Sequence, residues 1–194
     1  MKYDFVEIGT SDFDTLLQTS EGKIGLSIEP LKVYLDSLPD KDTVTKVNCA
    51  VSSKDGVVDV YWIDPSDIIK YNLPHWLKGC NSVDTPHPSA VHDLRIRNLE
   101  HIYKKTECEC LTWKTIVERY QIEHVEYLKI DTEGHDCTII NNILDTNSLL
   151  PKKIFFESNE LTSPDLVAAT IKRLEQKGYT TIHSGSHDTL VELL

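Results

Sequence analysis

The stretch YLKIDTEGHDCTIINNIL, residues 127–144, contains the pattern that decides the fold. Tyr127–Ile130 is a short apolar strand that runs directly into a polar turn, Asp131–His135. The residues that follow, His135–Leu144, are predicted to form a helix. A strand, a turn and a helix in this order predict part of a β-α-β unit, the building block of parallel sheets.

The same alternation extends along the chain. Strands are predicted at residues 3–8, 23–28, 43–47, 57–63, 107–111, 127–130 and 154–157, and helices at 12–19, 31–38, 112–120, 135–144 and 164–176. The strand at 57–63 follows a turn at Gly56 and is expected to pair as a hairpin with the strand before it. The chain is therefore predicted to be α/β, a single Rossmann-like, doubly wound and mostly parallel sheet over residues 1–194.

Two segments depart from this rhythm. Tyr179–His183 and Thr189–Leu193 flank Gly185 and predict an antiparallel hairpin at the C-terminal edge of the sheet. Residues 64–106 are rich in proline, and a helix is expected there from Ser89 to about Tyr103. Because connections longer than about 15 residues are uncommon inside a compact domain and often functional, this segment is predicted to be a lid over the site.

Charge excludes several classes of partner. The chain of 194 residues has 20 Lys and Arg against 31 Asp and Glu, a formal net charge of −11 at pH 7. Nucleic acids and anionic membranes attract clustered basic side chains, so neither is an expected partner. No apolar run is long enough to span a bilayer, and residues 1–5 do not resemble a signal peptide.

The five cysteines are an odd number without framework spacing. They fit free thiols in a reducing compartment, and a cytoplasmic location is expected. Cys108 and Cys110 are predicted to share one face of a strand rather than to bind zinc, since no second cysteine pair follows them.

Ligands of such sheets bind at the carboxyl ends of the strands, and here those ends are acidic and polar. The turn Gly9–Phe13 lacks the glycine-rich fingerprint of dinucleotide sites and carries Asp12 where a phosphate would lie. A cationic cofactor is therefore favoured over NAD. Glu29 is placed to accept bonds from a ribose diol, and the alternative is a carboxylate at a helix N-terminus before Pro30.

Together these residues resemble a class I S-adenosylmethionine-dependent methyltransferase, and within that class the FkbM family. The family's first motif, acid-x-Gly-x-Gly-x-Gly, stands here as Glu7-x-Gly9-x-Ser11-x-Phe13, and its second as Ser27-Ile28-Glu29-Pro30. The FkbM strand end Lys-Ile-Asp-x-Glu-Gly is matched by residues 129–134, and the Ala-Val-Ser segment by residues 50–56. The resemblance runs in order from about Tyr3 to Leu193.

The resemblance implies S-adenosylmethionine as the cofactor and assigns residues to its parts. Those of the first two motifs would hold the methionine half and the ribose, and those after the third strand would surround the adenine. They are Glu7, Gly9, Thr10, Ser11, Glu29, Pro30, Asn48, Ala50 and Val51, with Asp131 also near the cofactor.

Asp131, Glu133 and His135 are the candidate catalytic residues, because they follow one strand within five residues and are expected to converge. A carboxylate would orient and deprotonate a hydroxyl acceptor, with His135 as the other candidate base. His135 could instead only cap the next helix. Asp131 and Glu133 could instead bind a divalent cation such as Mg²⁺, an alternative that is not favoured.

The expected reaction is O-methylation of a sugar, a glycan or a small metabolite. Substrate contacts are expected in the lid, at Trp76, Asn81, Ser82 and His87. A catalytically inactive, methyltransferase-like binding module is the alternative, because Phe13 departs from the first motif. The sequence leaves the acceptor and the oligomeric state open.

Overall fold

The computed structural model describes residues 1–11 and 15–194. Within them the strands are β1 (Lys2–Ile8), β2 (Gly25–Ile28), β3 (Val44–Val47), β4 (Ala50–Val51), β5 (Gly56–Ile63), β6 (Ser82–Val83), β7 (Tyr103–Leu111), β8 (His124–Ile130), β9 (Lys153–Glu157), β10 (Tyr179–Ser184) and β11 (Asp188–Leu193). The α-helices are α1 (Leu16–Thr19), α2 (Lys32–Leu35), α3 (Pro65–Lys70), α4 (Pro88–Ile96), α5 (Trp113–Arg119), α6 (Asp136–Asp145) and α7 (Pro164–Gln176). Two 3₁₀ helices, η1 (His75–Lys78) and η2 (Glu100–Ile102), complete the secondary structure of the described chain.

The main sheet has seven strands in the order β10-β11-β9-β8-β1-β2-β3. Five neighbouring strands are mutually parallel, namely β3, β2, β1, β8 and β9, and β11 runs antiparallel to both β9 and β10. The predicted mixed α/β fold, with its mostly parallel sheet and antiparallel C-terminal edge, is confirmed. The chain builds outward from β1 through β2 to β3 and then returns to place β8 on the other side of β1, with Ile8 level with Ile130. The loops that follow β1 and β8 therefore leave the sheet side by side.

Apolar side chains cover this sheet. The main core joins the strands to α5, α6 and α7, and Trp113, Ile140 and Phe156 are completely buried in it. Burying a side chain of this size stabilises a fold by about 1.5–3 kcal/mol relative to leaving it exposed. A separate cluster holds α1 and α2 together through Leu17 and Leu35.

A second sheet has the order β4-β7-β5-β6, so the prediction of a single sheet is wrong. Its centre is the long antiparallel pair β5 and β7, which runs from Gly56 opposite Cys110 to Ile63 opposite Tyr103. The predicted hairpin between residues 57–63 and the preceding strand is therefore wrong. Alternating polarity identifies a strand and its buried face, but it does not identify the partner strand, which here lies across the whole intervening segment.

Residues 64–106, which were predicted to be a lid and are called the insertion below, have regular secondary structure of their own. They contain α3, η1, β6, α4 and η2, which enclose a small apolar core of their own. The helix expected from Ser89 to about Tyr103 is observed as α4. It has His87 as its N-cap and ends at Ile96, so it is shorter than expected at its C-terminus. Asn98 takes a left-handed backbone conformation (φ 56°) just beyond it.

The structure can also be compared with several smaller predictions. The first predicted helix, 12–19, is observed only over Leu16–Thr19, and Asp12 and Phe13 lie outside the described residues. Cys108 and Cys110 lie on β7, and all five cysteines are free thiols. No helix in the described parts of the chain is both long and apolar enough to cross a bilayer.

Candidate active site

A cavity that is partly open to solvent lies at the carboxyl edge of the main sheet. Its floor is formed by the loops that follow β1, β2 and β8, and its opposite wall by the second sheet and the insertion. The lining residues are Ile8, Gly9, Thr10, Ser11, Ile28, Glu29, Pro30, Cys49, Ala50, Val51, Val60, Gly79, Asn81, Val83, Asp131, Thr132 and Glu133. Most of the residues expected to bind the cofactor are therefore brought together.

The loop after β1 passes very close to β8. Gly9 adopts a left-handed conformation (φ 80°), and a Cβ atom there would lie 1.8 Å from the carbonyl oxygen of Asp131. Ser11 is also left-handed (φ 45°), at the position of the second motif glycine. Ser11 thus reproduces the backbone conformation that glycine adopts most readily, and its hydroxyl donates to the Lys78 carbonyl of the insertion (3.1 Å).

Glu29 fixes this loop from β2. Its carboxylate accepts hydrogen bonds from the backbone N–H groups of Ser11 (2.8 Å), Thr10 (3.1 Å) and Leu31 (2.9 Å). Burial raises the pKa of Glu29, against the lowering effect of these bonds. The sequence indicated two alternative roles for Glu29, a ligand acceptor and a carboxylate at a helix N-terminus. Its position allows both, because one oxygen accepts from the Leu31 N–H just before α2 and the carboxylate also lines the cavity.

Glu7 was expected to contact the cofactor, but it is not among the residues that line the cavity. It is completely buried, and its carboxylate accepts from the Leu16 N–H (2.9 Å) and from Lys129 Nζ (3.3 Å). Burial raises the pKa of Glu7, and Lys129 opposes that shift. The parallel register places Glu7 level with Lys129 on β8, which brings the carboxylate and the ammonium group together.

Lys129 is a charged residue at this edge that sequence reasoning missed. Its Nζ also lies 3.5 Å from Asp131 Oδ2. Burial lowers the pKa of Lys129, but the Glu7 and Asp131 carboxylates outweigh this effect and raise it. The lysine stands within the strand rather than after it, so an inventory of strand ends passed over it.

Asp131 and Glu133 both face the cavity, as predicted. Burial raises the pKa of Asp131, Lys129 lowers it, and the nearby Glu133 carboxylate raises it further. Glu133 has a left-handed backbone (φ 54°), and its Oε2 lies 3.2 Å from His87 Nε2. Two carboxylates thus stand at one wall of the cavity, each with a different basic partner.

His135 is not among the residues that line the cavity, which corrects its expected convergence with Asp131 and Glu133. Its Nε2 lies 2.8 Å from the Ser52 hydroxyl, and burial lowers its pKa. The left-handed turn at Glu133 and Gly134 (φ 94°) redirects the chain before position 135. His135 occupies the N-cap position of α6 without a side-chain capping bond, so it does not cap that helix through its ring.

Two further acidic residues, which the sequence did not single out as a site, lie at the start of α6 and at the end of β9. Asp136 is fully buried and accepts from the Glu157 N–H (3.0 Å) and the Thr132 hydroxyl (2.6 Å), and burial raises its pKa to about 7. Burial and the neighbouring carboxylates Glu133 and Asp131 raise the pKa of Glu157 to about 9. One oxygen of Glu157 is buried without a hydrogen-bond partner.

The expected substrate contacts fall into two groups. Asn81 lines the cavity and His87 contacts Glu133. Trp76 is 46% exposed on η1, and the Ser82 hydroxyl donates to the Thr85 carbonyl (2.6 Å). Neither Trp76 nor Ser82 is a lining residue, because the insertion folds around its own core and directs them elsewhere.

Asn48 is likewise displaced from its expected place beside the adenine. Its side-chain amide donates to the carbonyl oxygens of Glu29 (2.9 Å) and Pro30 (2.8 Å). It therefore supports the turn that presents Glu29 and does not line the cavity. The apolar wall is instead supplied by residues that local sequence patterns could not assign, including Cys49, Val60 and Val83.

Among the described residues, no group of three or more histidine, cysteine, aspartate or glutamate side chains is arranged to hold a metal ion. Asp131 and Glu133, which the less favoured alternative treated as metal ligands, lie beside Lys129 and His87 respectively.

Comparisons with known proteins concern the family and the fold of the chain. The family model for the methyltransferase FkbM domain matches residues 5–181, which include every cavity loop described above. The crystal structure of methyltransferase FkbM from Methylobacillus flagellatus KT is similar with a TM-score of 0.52 and 15% sequence identity. That similarity covers 100% of this chain and 44% of the other, so the chain spans less than half of its solved neighbour. No curated protein matches.

Proposed function

This chain belongs to the FkbM methyltransferase family, and on that premise we propose that it transfers a methyl group from S-adenosylmethionine to a hydroxyl group. The acceptor is a sugar, a glycan or a small metabolite. The proposal is carried by one observation: Gly9, Glu29 and Asp131, from three different strand ends, line a single cavity. We interpret the sheet as Rossmann-like and doubly wound, with this cavity where the chain changes direction across it.

The chemistry of the lining residues fits the cofactor. Glu29, Asp131 and Glu133 are acidic and suit a ligand that carries a sulfonium and an ammonium group. Ala50, Val51 and other apolar residues give a flat, nonpolar ligand such as adenine a suitable wall. When bound, the cofactor supplies an electrophilic methyl group on sulfur.

The residues of this chain supply binding, orientation and a proton acceptor. A carboxylate has about four lone-pair sites, so Glu29 retains acceptor capacity on Oε1 for a ribose hydroxyl. Asp131 would accept a hydrogen bond from the cofactor's ammonium group. Glu133 would accept the proton of the acceptor hydroxyl as the new bond forms, a role that typically contributes about 10²–10⁴-fold to the rate.

Binding of the cofactor is tested first at Glu29. Glu29→Ala leaves three N–H donors unpaired and removes the ribose acceptor, so we expect the affinity for S-adenosylmethionine to fall by about 1–3 kcal/mol. Isothermal calorimetry measures this, at a temperature where circular dichroism shows the variant folded. Glu21→Ala, at an exposed position, is the matched control. Unchanged binding by Glu29→Ala would remove this residue from the cofactor site.

The chemical step is tested at Glu133. Glu133→Gln keeps the shape of the side chain but cannot accept a proton, so we expect turnover to fall by about 10²-fold or more with near-native cofactor affinity. Turnover is followed as S-adenosylhomocysteine release while hydroxylated sugars and metabolites are screened as acceptors. Asp131→Asn should lose a similar factor, and Glu126→Gln, exposed at the far end of β8, is the control.

Other outcomes of the same experiments identify the alternatives. Normal turnover by Glu133→Gln would place the base elsewhere. A loss that appears only when divalent cations are present would make Asp131 and Glu133 a metal site. Binding of S-adenosylmethionine without turnover on any acceptor would support an inactive binding module, and binding of NAD instead would contradict the proposal. The free thiols and the net charge of −11 support a reducing compartment and partners other than nucleic acid.

A further inference from the structure

His87 connects the insertion to the candidate active site. It is 5% exposed, and its ring contacts a different group at each nitrogen. Nδ1 accepts from the Ala90 N–H (3.4 Å) as the N-cap of α4, and Nε2 lies 3.2 Å from Glu133 Oε2. The backbone N–H of His87 donates to the Tyr103 hydroxyl (2.9 Å). The contacts at both ring nitrogens therefore fix the orientation of the ring, and the bond to Tyr103 holds the backbone of the residue.

These contacts also fix where the proton lies on the neutral ring. In a neutral imidazole one nitrogen donates and the other accepts. Because Nδ1 faces an N–H donor, the proton belongs on Nε2, which donates to the Glu133 carboxylate. This carboxylate therefore receives a directed hydrogen bond from a residue of the insertion.

Glu133 occupies a backbone conformation that favours glycine. Its φ is 54°, and Gly134 follows with a φ of 94°. Non-glycine residues persist in such conformations where the surrounding structure holds them, and they cluster at functional sites. A glutamate here presents a carboxylate to the cavity at a cost in strain, and the hydrogen bond from His87 determines its direction.

We propose that His87 is a positioning residue, which holds the Glu133 carboxylate toward the cavity and so makes the chemical step depend on the folded insertion. This inference rests on the proposed function, because Glu133 is the group assumed to serve turnover. It also replaces the expectation that His87 touches the substrate.

Two substitutions separate positioning from helix capping. His87→Asn keeps an oxygen that can accept from the Ala90 N–H, and asparagine is a preferred N-cap, but its side chain is too short to reach Glu133. His87→Gln carries an amide donor out to the distance of Nε2 but gives up the cap. His92→Asn, at an exposed histidine on the same helix, is the control.

The two variants should rank in opposite order for stability and for turnover. We expect His87→Asn to keep a Tm near that of the wild type and to lose about tenfold or more in kcat, with unchanged affinity for S-adenosylmethionine. We expect His87→Gln to have the lower Tm and the higher kcat of the pair. Wild-type kcat in His87→Asn, or losses of kcat that follow Tm in both variants, would overturn the positioning role.

A spectroscopic measurement separates failure of this inference from failure of the proposed function. In ¹⁵N-histidine-labelled protein, we expect His87 to give the signature of a neutral ring protonated on Nε2, and Glu133→Gln to shift it. An Nδ1-protonated ring, or a resonance unaffected by Glu133→Gln, would overturn the positioning role. The expected signature in a protein that binds no S-adenosylmethionine would support the contact and overturn the proposed function alone.

Discussion

Some residues at the cavity have strained backbone conformations that contacts with neighbouring residues must stabilise. Ser11 and Glu133 are both left-handed, at φ 45° and 54°, although neither is glycine. Such conformations cost of order 1–3 kcal/mol each. Hydrogen bonds with residues outside each turn offset this cost. The Ser11 N–H donates to the Glu29 carboxylate, and the Glu133 carboxylate accepts from the His87 ring. Both residues line the cavity, and strained backbone conformations cluster at functional sites.

The acid at the end of β9 gives a prediction for pH dependence. The pKa of Glu157 rises from 4.5 to about 9 in the folded protein. Between these values the folded state keeps a proton that the unfolded state has released, so this group lowers stability as the pH rises. Asp136, raised from 3.8 to about 7, acts in the same direction over a lower range.

Glu157→Gln replaces the protonated acid with a neutral side chain of the same shape. We therefore expect the variant to lose less stability than the wild type as the pH rises from about 5 to about 8, and to be the more stable protein at the upper pH. Urea unfolding at both pH values measures this, with Glu175→Gln on the exposed face of α7 as the control. Parallel pH profiles for Glu157→Gln and the wild type would show that Glu157 is ionised in the folded protein.

At the scale of secondary structure, the main sheet was predictable because each of its elements carries a local signal. β8 is an apolar run that ends in a polar turn, and α7 has a serine cap, a proline at its first position and Gly178 after its end; both were identified from the sequence. Parallel strands joined by helices then place the ends of β1 and β8 together. The positions of these strand ends, together with the family resemblance, led to the prediction that Gly9, Glu29 and Asp131 bind one cofactor.

What the sequence could not supply depends on contacts between distant segments. The pairing of β5 with β7 determines that Val60 faces the cavity, and no local pattern encodes it. Local patterns also do not encode the contact of His87 with Glu133 or that of Lys129 with Asp131. His135 was misplaced because spacing along the chain predicts proximity only while the backbone stays extended, and here it turns at Glu133.

The insertion is the element expected to respond to ligands. It supplies Gly79, Asn81 and Val83 to the cavity wall, while its own core is separate from that of the main sheet. We predict that amides of residues 79–83 exchange faster than those of β8 in the free protein and become protected when S-adenosylhomocysteine binds. Hydrogen exchange measures both, with α7 as the internal reference. Equal protection in the two states would mean that the insertion is a fixed wall and does not act as a lid.

Across the whole molecule, the negative charge of the surface and that of the cavity have the same sign. The net charge is −11 at pH 7, and the charged residues among those described as lining the cavity are Glu29, Asp131 and Glu133. A charged cleft concentrates ligands of the opposite charge and raises their association rate. The proposed cofactor is a net cation, whereas its product, S-adenosylhomocysteine, has no net charge. The molecule should therefore favour the arrival of substrate cofactor over the return of product.

The negative electrostatic potential of the cavity gives a prediction that compares S-adenosylmethionine with S-adenosylhomocysteine, two ligands of nearly the same shape. Screening shortens the reach of the field from about 30 Å at 0.01 M salt to about 3 Å at 1 M. We expect the association rate of S-adenosylmethionine to fall about tenfold over that range, and that of S-adenosylhomocysteine to change much less. Stopped-flow fluorescence of the three tryptophans is the measurement. Asp131→Asn, which removes one cavity charge, should reduce the salt dependence for S-adenosylmethionine alone. If both ligands slowed equally with salt, the charge of the ligand would not be what the protein senses, and the acidic cavity would act only after binding, through contact.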